Sequence, residues 1–428
     1  MLVGERVRRV AVVGGLRIPF ARGHGAYAEL GNQEMLTAVL RALVERFALT
    51  GERLGEVAAG AVTKHSSQWN LARESTLGCG LSRETPAVDL QRACGTSLEA
   101  AIQIGNRIAL GQIEAGIAAG VDTVSDPPVT FPGEFRQLLM RSYRAKSVAA
   151  RIAPWFGLRP RHFKPVLPAV SEPRTGLSMG QSTELMARTW GVTREEQDRL
   201  ALASHRNALA AYRDGFYGDL VHPFQGLAAD DNIRADTSLE KLARLPCAFD
   251  RSGAGTLTAG NSTPMTDGAS AVLLASEDWA RQRGLPVLAH LTYAKVAAVD
   301  FVDRREGLLM APAYAVPRML ADAGLTLRDF DYYEIHEAFA AQVLCTLRAW
   351  SDPTFCRERL GLDGILGSID PGRLNVKGGS IAIGHPFAAT GARILATLAK
   401  LLDTSGARRG LISICTAGGM GVTAILER

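Results

Sequence analysis

The chain has few of the features that mark secreted, membrane-spanning or metal-scaffolded proteins. Its 428 residues include six cysteines, with no CxxC among them and no paired spacing. That usage argues against a disulfide framework, a zinc ribbon and a thioredoxin-type site, and makes a reducing cytoplasm the expected compartment. No apolar run reaches the length of a bilayer span. The charged start, Met1 to Arg9, is not followed by the apolar core and small-residue cleavage site of a signal peptide. Neither sign of charge dominates: 48 Lys and Arg stand against 43 Asp and Glu, a formal net charge of +5. Such a balance suits a small anionic ligand and lacks the basic stripe with interleaved aromatics of a nucleic-acid reader.

What is present is globular, 47% apolar and 21% charged, and long enough for roughly two or three domains. Strand-like runs at Arg8–Val13, Val57–Thr63, Ala115–Val121, Ala271–Ala275, Leu288–Tyr293, Asp331–Ile335 and Gly410–Cys415 alternate with helical patterns. The helices are expected at Gln33–Phe47, Thr183–Trp190, Arg194–Asp214, Ala313–Ala323 and Ala388–Leu402, with Thr193 capping the third. Gly14-Gly15 lacks the further glycine of a dinucleotide-binding turn. The alternation predicts an α/β protein. It is interrupted over 126–249, where prolines, a basic irregular stretch and mixed charges suggest an inserted loop subdomain. The division is therefore 1–125, continued by about 250–282, then the insert, then 283–428. Both halves carry a reactive residue where a loop enters a helix, which hints at duplication.

The centre of the sequence is Ala87-Val-Asp-Leu-Gln-Arg-Ala-Cys94-Gly-Thr-Ser-Leu98. An apolar run stops just before Cys94, and apolar residues at Leu98, Ala101, Ile102, Ile108 and Ala109 then follow at helical spacing, with Thr96 or Ser97 able to cap. A thiol facing a helix start is expected to have a lowered pKa, although a buried cysteine of no function fits that pattern equally well. Three distant signals join it. Ile383-Gly-His385-Pro-Phe-Ala-Ala-Thr-Gly391 holds a histidine on a rigid turn at a helix mouth, placed to take a thiol proton. Cys415-Thr-Ala-Gly-Gly-Met-Gly421 ends a strand in small residues whose N–H groups can approach a ligand oxygen. His336-Glu-Ala-Phe-Ala340 begins like a zinc-protease HExxH, but Ala340 stands where the second histidine would be.

Together these residues resemble the thiolase family, and the likeness runs from Arg17-Ile-Pro-Phe-Ala21 to the terminal cysteine loop. The resemblance implies duplicated α/β halves with mixed sheets packed around buried helices, plus the inserted loop subdomain. It implies Cys94 as acyl-accepting nucleophile, His385 as its base, Cys415 as second acid/base, and His336 with His385 as one oxyanion site. The N–H groups of Cys94 and Ala417 would form the other, Ala417 standing where a glycine is usual. Ser178-Met179-Gly180, Gly260-Asn-Ser-Thr263 and Thr266-Asp-Gly-Ala269 match segments beside the pantetheine, so Met179 and Thr263 are expected to meet substrate. Arg234 is the candidate for the phosphates or adenine of coenzyme A, its alternative being a surface pairing with Asp230 or Asp231. HEAFA and Gly379-Ser380-Ile381 resemble the fatty-acid oxidation branch, acetyl-CoA acyltransferases that cleave 3-ketoacyl-CoA. Biosynthetic acetoacetyl-CoA formation, a ketosynthase-like condensing enzyme and a scaffold without catalysis are the other readings. Coenzyme A is then substrate, and no metal or cofactor is implied. Expected partners are a second copy or a tetramer, and a hydratase–dehydrogenase subunit. The last expectation rests on Phe135 to Ser171, which holds no Asp or Glu but eight Lys and Arg with Trp155, Phe156 and Phe163; it suggests a docking surface for a partner or an anionic membrane.

Overall fold

The computed structural model describes residues 7–428; residues 1–6 of the charged start read above lie outside the described residues. Ten strands form one mixed sheet: β1 (Val10–Arg17), β2 (Ala21–Arg22), β3 (Glu56–Ala59), β4 (Ala87–Asp89), β5 (Ala115–Asp122), β6 (Thr266–Ser276), β7 (Ala289–Ala298), β8 (Tyr332–Ile335), β9 (Arg409–Thr416) and β10 (Met420–Glu427). Their order is β4-β3-β5-β6-β1-β7-β10-β9-β8, with β2 against β6. Every residue of β1, β5, β6 and β9 is buried, as expected of strands covered on both faces.

The helices are α1 (Asn32–Arg46), α2 (Leu71–Gly78), α3 (Thr96–Ala109), α4 (Gly133–Arg144), α5 (Val148–Ile152), α6 (Met179–Thr189), α7 (Arg194–Arg213), α8 (Leu239–Ala243) and α9 (Glu277–Gln282). The second half adds α10 (Ala311–Ala323), α11 (Ala340–Ser351), α12 (Pro353–Leu360), α13 (Ser380–Ile383) and α14 (Thr390–Ser405). Pairing repeats between the halves. In the first, β5 lies parallel to β3 and antiparallel to β6, which pairs β1. In the second, β9 lies parallel to β8 and antiparallel to β10, which pairs β7. The α3 and α14 helices, each feeding the next strand of its half, pack on one another in the central core with Leu98, Ile104, Ile394 and Leu398. Gly15 lies inside β1 rather than in a turn: a Cβ there would sit 2.5 Å from Ala396 Cβ of α14, so its role is close helix approach.

The structure moves several expected boundaries. The strand read to Thr63 ends at Ala59, because the N–H groups of Val62 and Thr63 donate to the Asp122 carboxylate at 2.9 and 2.7 Å instead of to a neighbouring strand. The segment 126–249 divides in two. Phe131, Trp155, His162 and Phe163 gather around Phe135 in a small outer cluster. Ala208, Phe216, Tyr217 and Val221 instead join the central core, and Arg17 is bound at 2.7 Å to Asp230 in a buried pair.

Candidate active site

Cys94 sits half-buried between β4 and α3, after Ala93, whose φ of 42° is left-handed. Such backbone in a non-glycine residue persists only where its surroundings hold it. Thr96 is held by the turn: its hydroxyl accepts from Arg92 N–H at 2.9 Å and lies 2.7 Å from Ala93 O. The expected cap is thus corrected. Gly95 is the N-cap, without a side-chain bond, Thr96 is spent on the turn, and Ser97 accepts from Ala392 N–H at 2.8 Å, tying α3 to α14.

His385 brings its Nε2 to 3.1 Å from Cys94 Sγ. Its Nδ1 is 2.6 Å from Thr390 Oγ1, and its backbone N–H donates to Thr266 Oγ1 at 2.8 Å. The turn needs Gly384, at φ 112° and with a Cβ position only 2.8 Å from Thr266 Cγ2. Behind the turn Ala388 N–H donates to Asp122 at 2.8 Å.

Electrostatics differ from the expectation. Burial pushes the Cys94 thiol up to about 12, against a hydrogen bond from the Ala417 backbone that lowers it. Burial, aided by the Arg393 charge, pushes His385 down to about 3. Desolvation opposes charging either group, so burial favours the neutral S–H and imidazole over an ion pair.

Cys415 is the last residue but one of β9, fully buried, and its thiol is raised well above the usual range by burial and then by Cys94. Gly418 and Gly419 supply the left-handed residues of the following turn, at φ 76° and 69°. Ala417 needs no positive φ, which is why alanine fits. Glu172, reaching in from the outer segment, accepts Gly418 N–H at 2.7 Å.

His336 follows β8, fully buried, its ring centroid 4.2 Å from that of His385. One ligand atom each of Cys94, His336 and His385 lies within 4.8 Å of the others. They could bracket a soft cation, but they are also the groups that would handle a reacting carbonyl. Glu337 turns away: it accepts from Ser204 Oγ and Asn375 Nδ2, both at 2.7 Å, and occupies the place where a Cβ on Gly379 would fall. It braces the loop before α13. Helix α11 starts only at Ala340, so the pair never had the helical spacing of a metalloprotease motif.

The remaining candidates lie further out. Thr263 Oγ1 donates to Ser380 O at 2.9 Å, and its N–H to Ala338 O at 3.1 Å, so it ties two site loops together. Met179 packs on the cluster containing Cys415 and Phe339. Arg234 is exposed; Asp230 pairs with Arg17 and Asp231 accepts Arg22 N–H at 2.8 Å, so neither holds it. Sequence reasoning gave no role to Ser380 and Thr390, although both stand in motifs it singled out, and missed Arg393, Asp122 and Glu172, which reach the site through packing.

The chain is similar to known proteins over its described length. "Thiolase, N-terminal domain" matches residues 10–278 and "Thiolase, C-terminal domain" residues 285–428. The 3-ketoacyl-CoA thiolases of Erwinia tasmaniensis and Pectobacterium carotovorum are 40% and 41% identical over 432 residues, covering 100% of this chain and 98% of each relative. The crystal structure of Bacillus anthracis acetyl-CoA acetyltransferase is similar at TM-score 0.82 and 28% identity, covering 99% of this chain and 100% of that one. That of human mitochondrial 3-ketoacyl-CoA thiolase is similar at TM-score 0.80 and 27% identity, covering 98% and 99%.

Proposed function

The chain belongs to the thiolase family of acyltransferases, and from that premise we propose that it cleaves 3-ketoacyl-CoA with coenzyme A through an acyl group on Cys94. The reading rests on one contact above all, the 3.1 Å approach of His385 Nε2 to Cys94 Sγ.

In the first half-reaction the Cys94 proton passes to His385 Nε2 as Sγ attacks the 3-keto carbon, a soft nucleophile on a ketone. The imidazole must then carry its own hydrogen on Nδ1, toward Thr390. Collapse of the adduct breaks the C2–C3 bond. Cys415 protonates the enolate carbon, releasing acetyl-CoA; a thiol kept protonated by burial suits that task. In the second half-reaction the Cys415 thiolate takes the proton of incoming CoA, whose sulfur attacks the acyl carbon. Cys94 leaves and recovers its proton from His385. Only C–C and C–S bonds and protons are exchanged, so coenzyme A enters as substrate and the chemistry asks for no metal or redox group.

Oxyanions form in both halves. The oxygen on C3, whose carbon is bonded to Cys94 Sγ in both tetrahedral adducts, is assigned to the N–H groups of Cys94 and Ala417, and the enolate oxygen of the departing acetyl-CoA to the Nε2 atoms of His336 and His385. Losing one such donor costs on the order of 100–1000-fold in rate. Arg234 is proposed to meet the phosphates of CoA, and Met179 and Thr263 to flank the pantetheine. Acetoacetyl-CoA formation uses the same intermediates in reverse, and likeness to an acetyl-CoA acetyltransferase keeps it as the second reading. We further propose a cytoplasmic homo-oligomer, a hydratase–dehydrogenase partner, and contact with a membrane surface. A CoA-dependent assay over 3-ketoacyl-CoA of rising chain length is the test. Cleavage of the longer substrates supports the degradative reading, and turnover of acetoacetyl-CoA alone would replace it with the biosynthetic one.

A further inference from the structure

His336 has one ring nitrogen engaged and one free. Nδ1 lies 2.8 Å from Ser380 Oγ, whereas Nε2 is buried with no hydrogen-bond partner among the described residues. Ser380 Oγ is in turn 2.8 Å from Arg393 Nη2. A guanidinium can only donate. That contact therefore takes a lone pair of Ser380 and leaves its one hydroxyl hydrogen for His336 Nδ1. Nδ1 accepts, so the ring hydrogen stands on Nε2. The opposite tautomer would leave the serine hydrogen without an acceptor and aim a bare lone pair at the place where oxyanion charge develops.

We propose that Arg393 and Ser380 are positioning residues that lock His336 in its Nε2–H form, making it a direct donor to the oxyanion beside His385 without a bridging water. The assignment rests on the thiolase reading for its catalytic consequence, but the tautomer itself does not. The surroundings support it. Arg393 is fully buried, 3.8 Å from the Glu334 carboxylate across α14 and β8. Its charge, after burial itself and His385, helps hold the His336 ring neutral. A neutral ring is the case in which the choice of tautomer matters.

Ser380→Ala removes the hydroxyl with little change of volume. We expect kcat to fall about tenfold or more while KM for CoA stays within about twofold, the pattern for an interaction made in the transition state. The same substitution in a His336→Asn background should change kcat less than about threefold, because a carboxamide offers its N–H without a tautomer to set. Equal losses in both backgrounds would overturn the relay in favour of a packing role. Nitrogen-15 NMR of the unsubstituted enzyme, with the histidines labelled, reads the ring directly even if Ser380→Ala does not fold. A protonated Nε2 on His336 is expected, and a protonated Nδ1 overturns the proposal. Absence of thiolysis altogether would instead remove the thiolase reading and leave the tautomer result standing.

Discussion

Two cysteines in one site are separated by their neighbours. Cys94 has an imidazole at hydrogen-bond distance and a backbone N–H facing its sulfur; Cys415 is sealed in a strand end with Cys94 as its perturbing neighbour. With the Cys94 thiol raised, its thiolate fraction grows with pH and has not saturated near neutrality. Alkylation of Cys94 by a neutral reagent should therefore accelerate steadily between about pH 6 and about pH 9. A plateau already reached at the acidic end, measured by mass spectrometry of the labelled peptide, would mean a preformed thiolate–imidazolium pair. Cys415→Ala should separate the two roles. The nucleophile is kept, so acyl groups from a good donor should still load on Cys94 while turnover falls by about 100-fold or more, the range of a lost general acid. Near-normal thiolysis by that variant would rule out the two-cysteine mechanism. Cys94, His385 and Cys415 were legible as candidates from the runs they stand in, but their roles came only with the resemblance to the thiolase family, since each run alone fits a buried cysteine or a tight turn. Ser380 and Arg393 were not, because a serine and an arginine thirteen positions apart acquire meaning only when α13 and α14 bring them together.

At the scale of elements, the regular strands and helices were legible from their periodicity, and the misses have local causes. No element was expected after the glycine turn that follows β9; the hairpin pairing of Met420 to Glu427 with Thr416 to Arg409 reveals β10. Helix α11 was hidden by the motif at its start. Helices α3 and α14 approach closely, and a Cβ on Gly391 would fall against the backbone nitrogen of Leu98. Backbone cannot yield as a side chain does. Gly391→Ala should thus destabilise the protein by about 1–3 kcal/mol, the usual cost of overpacking, and lower activity by shifting His385 relative to Cys94. Thermal unfolding checks the first effect and acyl loading the second. An unchanged midpoint would show that the two helices can separate without loss.

For the whole molecule, the outer segment is the part that neither the core nor the chemistry explains. Phe135 is buried at the centre of its aromatic cluster, yet the segment leaves Phe156 88%, Tyr143 80% and Val148 73% exposed. Among the described residues the ion pairs of 135–171 lie at one edge, where Glu134 pairs with Arg161 at 2.8 Å and His162 at 3.1 Å. Exposed apolar side chains among cations match an anionic bilayer better than plain solvent. No described helix is long and apolar enough to cross a membrane, so contact would be peripheral. Arg141, Arg144 and Lys146 are exposed, whereas Arg151 donates to Ala145 O at 3.0 Å and holds the turn. Reversing the first three to Glu should remove about 3 kcal/mol of attraction, at roughly 1 kcal/mol per cation. Co-sedimentation with vesicles containing phosphatidylserine should fall sharply, and the unsubstituted protein should lose the same binding as salt rises. Thiolysis of a short substrate should persist, because the link from this segment to the site runs through Glu172 and Gly418. Equal sedimentation of the two proteins would leave these cations as a solvated face. Loss of short-substrate activity in a folded variant would place the segment at the mouth of the acyl-CoA site instead.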